Sequence, residues 1–184
     1  MTSEESLIRR VQSGDDAAFR QLYVLYKDQV YTYCYHLLNR DREETNDAVQ
    51  ESFIRAFENI NSLEREGSFR GWLYAIVRHH VFDRLRAKGK HRIVSVEEVE
   101  DDLWEPDGPD VLLERSERHS TLLSAMARLS DEYREIVLLR DFQGMTYHEI
   151  ARLLGVTEGA MKARLFKARR KLSSLMKPYQ REGG

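Results

Sequence analysis

The sequence predicts an all-α fold of two small helical domains joined by an acidic flexible linker. Apolar residues recur every three or four positions over most of the chain, which is the spacing of a buried helix face. No glycine or proline occurs between Asp15 and Glu66, so long uninterrupted helices are permitted there. From about Ile93 the composition becomes acidic and includes one glycine and two prolines, which indicates a linker. The alternation of apolar and polar residues that is typical of strands is absent.

Three helices are predicted in the N-terminal part. The first is short and ends at Gly14, and its apolar residues are Leu7, Ile8 and Val11. The carboxylates of Asp15 and Asp16 suit the positive end of a helix dipole, which indicates that the second helix begins there. The apolar face of that helix comprises Phe19, Leu22, Tyr26, Val30, Tyr33 and Leu37. A polar turn at residues 39–41 precedes a third helix, whose inward residues are predicted to be Val49, Phe53, Phe57 and Ile60. Its outward residues are Glu43, Asp47, Gln50, Glu51 and Arg55, at least in part.

A polar loop at residues 61–68 leads into a fourth helix that carries both aromatic and basic side chains. One stripe of this helix comprises Leu73, Ile76, Val77 and His80, and a second comprises Trp72, His79, Asp83 and Arg86. Aromatic rings among arginines suit single-stranded nucleic acid, because bases stack on rings while cations neutralise phosphates. For Trp72 alone the simpler interpretation is a core position. The two histidines are interpreted as surface or core residues, since no second ligand pair for a metal has suitable spacing.

The acidic segment at residues 93–112 separates this domain from a second one. Trp104 is unusual within the segment, because disordered linkers rarely contain tryptophan. The sequence therefore predicts that Trp104 packs on a neighbouring domain or meets a partner. Helical spacing resumes beyond the linker with Leu122, Leu123, Met126 and Leu129, and Ser130 is predicted to cap the helix that follows.

The C-terminal part contains a predicted helix-turn-helix at residues 146–172. Thr146 and Glu149 form a capping box, Gly155 suits the turn, and Thr157 is the next N-cap. The second helix is predicted to bury Met161, Leu165, Ala168 and Leu172. Its outward residues are Lys162, Arg164, Phe166, Lys167, Arg169, Arg170 and Lys171. A strongly basic second helix favours insertion into a DNA major groove, whereas the alternative is a helical hairpin with a solvated basic face.

Charge distribution and composition restrict the functions that the chain can have. The net charge of −2 conceals basic clusters at residues 70–92 and 162–181, which suggest two surfaces for nucleic acid. Cys34 is the sole cysteine, which excludes an intramolecular disulfide and a cysteine zinc site, and it is predicted to be buried. The polar N-terminus and the lack of a membrane-length apolar run predict a soluble cytoplasmic protein with no membrane insertion. No cofactor or metal is expected.

Three segments in order resemble the extracytoplasmic-function (ECF) group of sigma-70-type bacterial transcription initiation factors. DAVQESFIRAF at residues 47–57 resembles the core-binding helix of that family, and SFRGWLYAIVRHHVFDRLR at residues 68–86 resembles its promoter-melting helix. The segment at residues 129–172 resembles its fourth region. The resemblance implies domains at residues 1–92 and 113–184, joined by a linker at 93–112, and a non-enzymatic specificity subunit of RNA polymerase.

The resemblance also implies roles for individual residues. Contacts to the polymerase core would come from Asp47, Gln50, Glu51 and Arg55. Contacts to the minus-ten element, including a base flipped from the non-template strand, would come from Asn61, Leu63, Ser68, Phe69, Arg70, Trp72, Arg78, His79 and Arg86. Contacts to the minus-thirty-five duplex would come from Arg140, Thr157, Lys162, Ala163, Arg164, Phe166, Lys167 and Arg170. An anti-sigma factor is an expected partner.

Two positions depart from the family pattern, and two other functions remain open. His79 stands where members often have Asn, which leaves the minus-ten base preference open, and Ser130 replaces a frequent Pro. One alternative is a helix-turn-helix regulator that binds duplex DNA without polymerase. The other is an enzyme that uses His79, His80 and Asp83 as acid–base groups, although no nucleophile, metal cluster or glycine-rich phosphate loop accompanies them.

Overall fold

A computed structural model describes residues 3–63, 68–89 and 114–180, the side chains of 114–120 and 177–180 excepted. Within these ranges the chain forms α-helices and short helical turns and contains no strand, which confirms the all-α prediction. The chain divides into two compact units, the first formed mainly by residues up to His91 and the second mainly by those from Arg92 onward. The predicted linker and Trp104 lie outside the described residues.

The first unit contains four helices whose starts coincide with side-chain caps. The helices are α1 (Glu4–Gln12), α2 (Asp16–Leu37), α3 (Arg42–Asn59) and α4 (Phe69–Ala87), and a 3₁₀ turn (Ile60–Ser62) follows α3. Ser3, Asp15, Asp41 and Ser68 each accept a hydrogen bond from a backbone N–H of the first helical turn. These caps satisfy N–H groups that have no partner inside a helix, so each helix begins where the sequence supplies an acceptor.

Aromatic and aliphatic side chains of α2 and α4 form the core of the first unit. Tyr33 and Tyr74 are both fully buried, with ring centroids 5.3 Å apart in an edge-on arrangement. Cys34 is buried beside them, as predicted. Its burial raises the pKa of the thiol to about 12, so the side chain stays protonated and behaves as a small apolar group.

Three of the four residues predicted to face inward around α3 are buried, namely Val49, Phe53 and Ile60. The buried face also includes Ala48, Ser52 and Ala56, and the Ser52 hydroxyl donates to the Ala48 carbonyl at 2.6 Å. Phe57 lies at the rim of this face and is exposed. The prediction of an inward Phe57 is therefore wrong; its ring instead packs edge-on against Phe19, with centroids 5.0 Å apart.

The described part of the second unit contains four helices and a π-helical turn. The helices are α5 (Glu114–Ala127), α6 (Asp131–Val137), α7 (Tyr147–Leu154) and α8 (Glu158–Gln180), and the π turn (Leu138–Phe142) extends α6. Ser130 caps α6, as predicted, by accepting a hydrogen bond from the Tyr133 N–H. The core includes Met126, Leu129 and Ile136.

Candidate nucleic-acid interface

The helix-turn-helix of the second unit is built by the predicted capping and turn residues. The Thr146 hydroxyl accepts from the Glu149 N–H at 3.2 Å, and the Glu149 carboxylate accepts from the Thr146 N–H at 2.7 Å. Gly155 has φ +65°, and Thr157 accepts from the Ala160 N–H at 3.2 Å. This reciprocal capping fixes where α7 begins, and the glycine turn fixes the direction in which α8 leaves it.

One face of α8 is buried and the opposite face is exposed and basic. Met161, Leu165 and Ala168 are buried, whereas Leu172 is half-buried. The exposed residues among those predicted to meet the minus-thirty-five duplex are Thr157, Lys162, Ala163, Arg164, Phe166 and Lys167. Arg170 is half-buried, with its guanidinium 5.7 Å from the centroid of the Phe166 ring. Phe166 itself is 53% exposed, which leaves its ring accessible to a thymine methyl group or to a protein surface.

Arg140 lies in the π turn rather than on α8, and its side chain is held in place. Its Nη1 donates to the Met145 carbonyl at 2.7 Å, and its guanidinium carbon lies 4.5 Å from the centroid of the Tyr147 ring. The Lys162 ammonium lies 5.2 Å from the same centroid. Next to Arg140, Asp141 forms an ion pair with Arg169 of α8. The π turn thus supplies a cation at the start of α7 and an anchor for α8.

In the first unit, a pocket of about 470 Å³ lies between α3, the 3₁₀ turn and α4. Its lining residues are Arg55, Asn59, Ser62, Trp72, Ala75, Ile76, His79 and His80. Trp72 is half-buried, and its ring lies 5.8 Å from that of Phe69. The pocket therefore combines an indole face, imidazoles and amide and hydroxyl groups, which are the groups that stack on a base and bind its polar edge.

The two histidines of α4 have different environments. His79 is exposed, and its Nε2 lies 3.0 Å from the carboxylate of Asp83, which also pairs with Arg86. The hydrogen bond from Arg86 lowers the pKa of Asp83. His80 is only 8% exposed, and its Nε2 has no hydrogen-bond partner among the described residues. Burial lowers the pKa of His80, so its imidazole favours the neutral form.

The structure divides the predicted minus-ten residues into accessible and buried ones. Asn61, Ser68, His79 and Arg86 are exposed, and Arg70, Trp72 and Arg78 are half-buried. The Arg78 guanidinium lies 4.7 Å from the centroid of the Phe82 ring. Leu63 and Phe69 are buried, and their contact with a base stays a prediction. Residues 64–67 lie outside the described ranges.

A second surface of the first unit combines charged residues with an apolar groove. Asp47, Gln50, Glu51 and Arg55 are exposed on α3, as predicted, and Arg55 and Glu51 form an ion pair at 3.2 Å. The adjoining groove between α2 and α3 has a volume of about 770 Å³ and is lined in part by Phe19, Tyr23, Phe53, Ile54 and Phe57. Ile54 is 50% exposed and is not among the residues predicted for this interface. Together with the exposed rings of Tyr23 and Phe57 in the same groove it forms an apolar patch, and such patches indicate contact surfaces.

Metal-ligand clusters and membrane-spanning helices are both absent from the described ranges. No group of three or more His, Cys, Asp or Glu side chains there is arranged to hold a metal ion. No helix in the same part of the chain is long and apolar enough to cross a bilayer.

The helix-turn-helix, with its exposed basic α8, and the aromatic pocket of the other unit are typical of a DNA-binding protein. The model described as Sigma-70 region 2 matches residues 22–91, and that described as Sigma-70 region 4 matches residues 119–172. The chain is 31% identical over 176 residues to the ECF RNA polymerase sigma factor SigW of Bacillus subtilis, covering 90% of this chain and 92% of the relative. It is 28% identical over 187 residues to the RNA polymerase sigma-H factor of Pseudomonas aeruginosa, covering 97% and 96% respectively.

Two solved structures share the fold. CnrH in complex with the cytosolic domain of CnrY has a TM-score of 0.71 at 23% identity, covering 95% of this chain and 97% of CnrH. The sigma factor RpoE from Bartonella quintana, in complex with the anti-sigma factor NepR, has a TM-score of 0.65 at 23% identity, covering 86% of this chain and 96% of RpoE. With the sequence matches, these findings identify the family: the chain belongs to the ECF sigma factors of the sigma-70 family.

Proposed function

We propose that this sigma factor directs core RNA polymerase to its promoters through three surfaces, one for the core and one for each promoter element. The observation that carries the assignment is the occurrence in one chain of a pocket able to take an unstacked base and a helix able to read a duplex. The protein acts as an initiation factor rather than an enzyme. Because its site of action is the polymerase on DNA, it is proposed to act in the cytoplasm.

The alternative, a regulator that binds duplex DNA without polymerase, is not favoured. Such a protein needs the helix-turn-helix but has no use for the first unit, which matches Sigma-70 region 2 over residues 22–91. A direct test is co-purification of the tagged full-length chain with core polymerase, followed by titration of the free chain with promoter duplex. A sigma factor should retain the core and gain specific promoter binding only with it. Specific binding by the free chain, with no recovery of core, would favour the regulator.

The polymerase contact is assigned to the exposed face of α3. Asp47, Gln50, Glu51 and Arg55 supply charge and hydrogen bonds there, and the groove beside Ile54 supplies apolar area. This composition is typical of protein interfaces, in which a polar rim surrounds an apolar centre. Glu51→Arg should fold normally, because the side chain is exposed, and should weaken binding to the core by reversing a charge at the contact. Glu5→Arg makes the same exchange on α1 and should bind the core like the parent.

The minus-ten contact is assigned to the pocket that contains Trp72 and His79, together with Asn61, Ser68, Arg70, Arg78 and Arg86. Extracting a base from the duplex costs a few kcal/mol of unstacking, and stacking on the indole would offset part of that cost. An abasic scan of the non-template strand tests this. The parent holoenzyme should bind more weakly when the base that enters the pocket is removed. The Trp72→Ala holoenzyme should bind equally well with and without that base. Equal sensitivity of both proteins would remove Trp72 from the site.

The minus-thirty-five contact is assigned to the exposed face of α8 together with Arg140. Lys162, Ala163, Phe166 and Lys167 would face base edges, whereas Arg140, Arg164 and Arg170 would bind phosphates, and Thr157 holds the helix start. Lys162→Ala should lose about 1–3 kcal/mol on the preferred duplex and much less on a scrambled one. Arg140→Ala should weaken binding to both duplexes alike. It should also reduce the slope of log affinity against log salt concentration by the amount expected for about one phosphate contact. Equal losses for Lys162→Ala on both duplexes would reduce it to a phosphate contact.

An anti-sigma factor is the proposed regulatory partner. CnrH and the Bartonella RpoE were each solved bound to a second protein, in the latter case an anti-sigma factor. In this chain the apolar groove between α2 and α3 and the exposed Ile54 provide a surface that such a protein could cover in place of the polymerase. Pull-down of the unstimulated factor from its native cell should recover a further stoichiometric protein. Recovery of polymerase alone would count against this partner.

A further inference from the structure

Tyr147 is the first residue of α7, and its ring contacts two cations that come from different elements. Arg140 of the π turn lies 4.5 Å from the ring centroid, and Lys162 of α8 lies 5.2 Å from it. The sequence pattern places Tyr147 on the apolar stripe of its helix, but the ring is only half-buried. An aromatic face attracts a cation through its quadrupole, so this ring offers a fixed site to both side chains.

The contact matters most for Lys162. Arg140 is held twice, by the ring and by the Met145 carbonyl at 2.7 Å, whereas the Lys162 ammonium contacts only the ring among the described residues. A lysine on an exposed helix face otherwise samples many rotamers, and binding must then restrict them. A side chain already held near its bound position loses less freedom on binding. At an exposed site a cation–π contact changes such an equilibrium by a factor of about 2 to 5.

Tyr147 is itself well fixed in position. It follows the Thr146–Glu149 capping box directly, so the backbone that carries the ring is fixed by reciprocal hydrogen bonds of 2.7 and 3.2 Å. The neighbouring Asp141–Arg169 ion pair ties the π turn to α8. The ring, the turn that carries Arg140 and the helix that carries Lys162 are therefore joined by contacts within one unit.

We propose that Tyr147 is a positioning residue that holds Lys162 toward the base edges and Arg140 toward the DNA backbone, so that these two cations act as a coupled pair. The proposal rests on the function assigned above to α8. It adds a residue that touches neither base nor phosphate and yet determines how well the minus-thirty-five sequence is discriminated. Repulsion between the two cations is offset by their shared ring, and loss of the ring would release Lys162 and leave Arg140 with its hydrogen bond to the Met145 carbonyl.

The test compares two substitutions of Tyr147 in the reconstituted holoenzyme. Tyr147→Phe keeps the ring and removes the hydroxyl, whereas Tyr147→Leu keeps an apolar side chain and removes the aromatic face. The probes are a minus-thirty-five duplex selected by the parent holoenzyme from a randomised pool and its scrambled version. We expect Tyr147→Phe to discriminate like the parent and Tyr147→Leu to lose discrimination by about two- to fivefold. Tyr133→Leu, which changes a half-buried tyrosine of α6, should retain it.

The possible outcomes separate this proposal from the function on which it rests. Equal losses for Tyr147→Phe and Tyr147→Leu would assign the effect to the hydroxyl, and no loss for either would leave the ring without a role; both results overturn the proposal. A parent holoenzyme that selects no sequence would instead contradict the function assigned to α8.

If Tyr147→Leu fails to fold, a double-mutant cycle of Arg140→Ala with Lys162→Ala tests the coupling instead. Because both cations share one ring, the loss of duplex affinity in the double variant should differ by about twofold or more from the product of the two single losses. Strict additivity of the binding free energies would refute the coupling.

Discussion

Arg134 is a buried cation at the junction of α5 and α6. It is 1% exposed, and it donates hydrogen bonds of 2.9 Å to the carbonyls of Met126, Ala127 and Leu129. Asp131, which is also buried, lies 3.7 Å away. The last carbonyls of a helix have no partner inside it, so Arg134 acts as a side-chain cap for the end of α5. A buried charge is tolerated here because several acceptors surround it.

Replacing Arg134 should destabilise the second unit strongly. Arg134→Leu would leave buried carbonyls without their donor and Asp131 without this cation, and breaking a buried pair in this way costs about 3–5 kcal/mol. Thermal unfolding of the full chain, followed by circular dichroism, measures the loss. Arg128→Leu removes an exposed arginine from the same junction and should stay within about 0.5 kcal/mol of the parent. Similar melting temperatures for both variants would show that Arg134 is not the cap.

His80 should make the stability of the first unit depend on pH. Burial lowers the pKa of this imidazole below its ordinary value of 6.5, with a further contribution from the positive charge of Arg55; Glu51 opposes the shift, and Arg84 and His79 add to it. Below about pH 6.5 the unfolded chain therefore binds a proton that the folded chain takes up only at lower pH. The stability contributed by neutral His80 is complete above pH 6.5 and decreases as the pH falls toward the folded-state pKa.

The measurement is a series of thermal unfolding curves between about pH 7.5 and pH 5.5. His80→Gln should show a smaller decrease in melting temperature over this range than the parent, whatever its melting temperature at neutral pH. His79→Gln removes the exposed neighbouring imidazole and serves as the matched control. If the melting temperatures of the parent and of His80→Gln changed in parallel with pH, the buried His80 imidazole would not be the source of the pH dependence.

At the scale of elements, the sequence predicted helix starts better than it predicted helix faces. Ser130, Thr146 and Thr157 were placed correctly because a cap depends on one side chain and the N–H groups two or three residues later. The buried face of a helix depends instead on which neighbours cover it. Ala48, Ser52 and Ala56 are buried on α3, and a pattern based on large apolar residues gives them too little weight.

Other features could not be predicted because they depend on contacts between elements distant in sequence. The π turn has one extra residue per turn, and it buries Leu138 and Leu139 while directing Arg140 toward Tyr147 and Asp141 toward Arg169. No local composition distinguishes it from an ordinary helical turn. Likewise, Leu63 and Phe69 contact residues distant in sequence: the Leu63 carbonyl accepts from Gln12 Nε2 at 3.3 Å, and the Phe69 ring lies 5.3 Å from that of Tyr26. The pattern of exposed basic residues on α8, by contrast, followed from helical periodicity alone.

The turn between α7 and α8 offers a test of backbone conformation. An added Cβ at Gly155 would meet no atom within 4 Å, so any loss on substitution comes from the positive φ of +65° and not from a clash. Gly155→Ala should destabilise the protein by about 1 kcal/mol, and Gly155→Asn by less, because asparagine adopts the left-handed region more readily. Unfolding by heat, followed by circular dichroism, gives both values.

Gly159 provides a control, because alanine there should change stability in the opposite direction. It lies in the first turn of α8, and a Cβ there would meet only the Thr157 hydroxyl, at 4.0 Å. Gly159→Ala should therefore stabilise the chain by about 0.5–1 kcal/mol, since alanine restricts the unfolded chain and favours helix. Destabilisation by both alanine substitutions would mean that crowding, and not the left-handed backbone, governs this turn.

At the scale of the whole molecule, the proposed function assigns two kinds of DNA recognition to two compact units. Base edges in a duplex are read by a rigid helix in the major groove, whereas a flipped base needs a pocket. These requirements conflict within one small domain, because one needs a convex helix face and the other a concavity. When one unit is bound, the chain that joins it to the other raises the effective concentration of the second contact, so two modest affinities combine.

This division predicts additive energetics between the units. His79 belongs to the pocket of the first unit and Lys162 to the basic face of the second, so neither substitution should disturb the contacts of the other. Binding of the holoenzyme to a promoter that contains both elements should show losses for His79→Ala and Lys162→Ala that add within about 0.3–0.5 kcal/mol in the double variant. The pair Tyr147→Leu and Lys162→Ala, measured on the same promoter, is the internal contrast, because these residues share one contact and should be non-additive. A coupling between His79 and Lys162 as large as that between Tyr147 and Lys162 would mean that the two units do not read their elements independently.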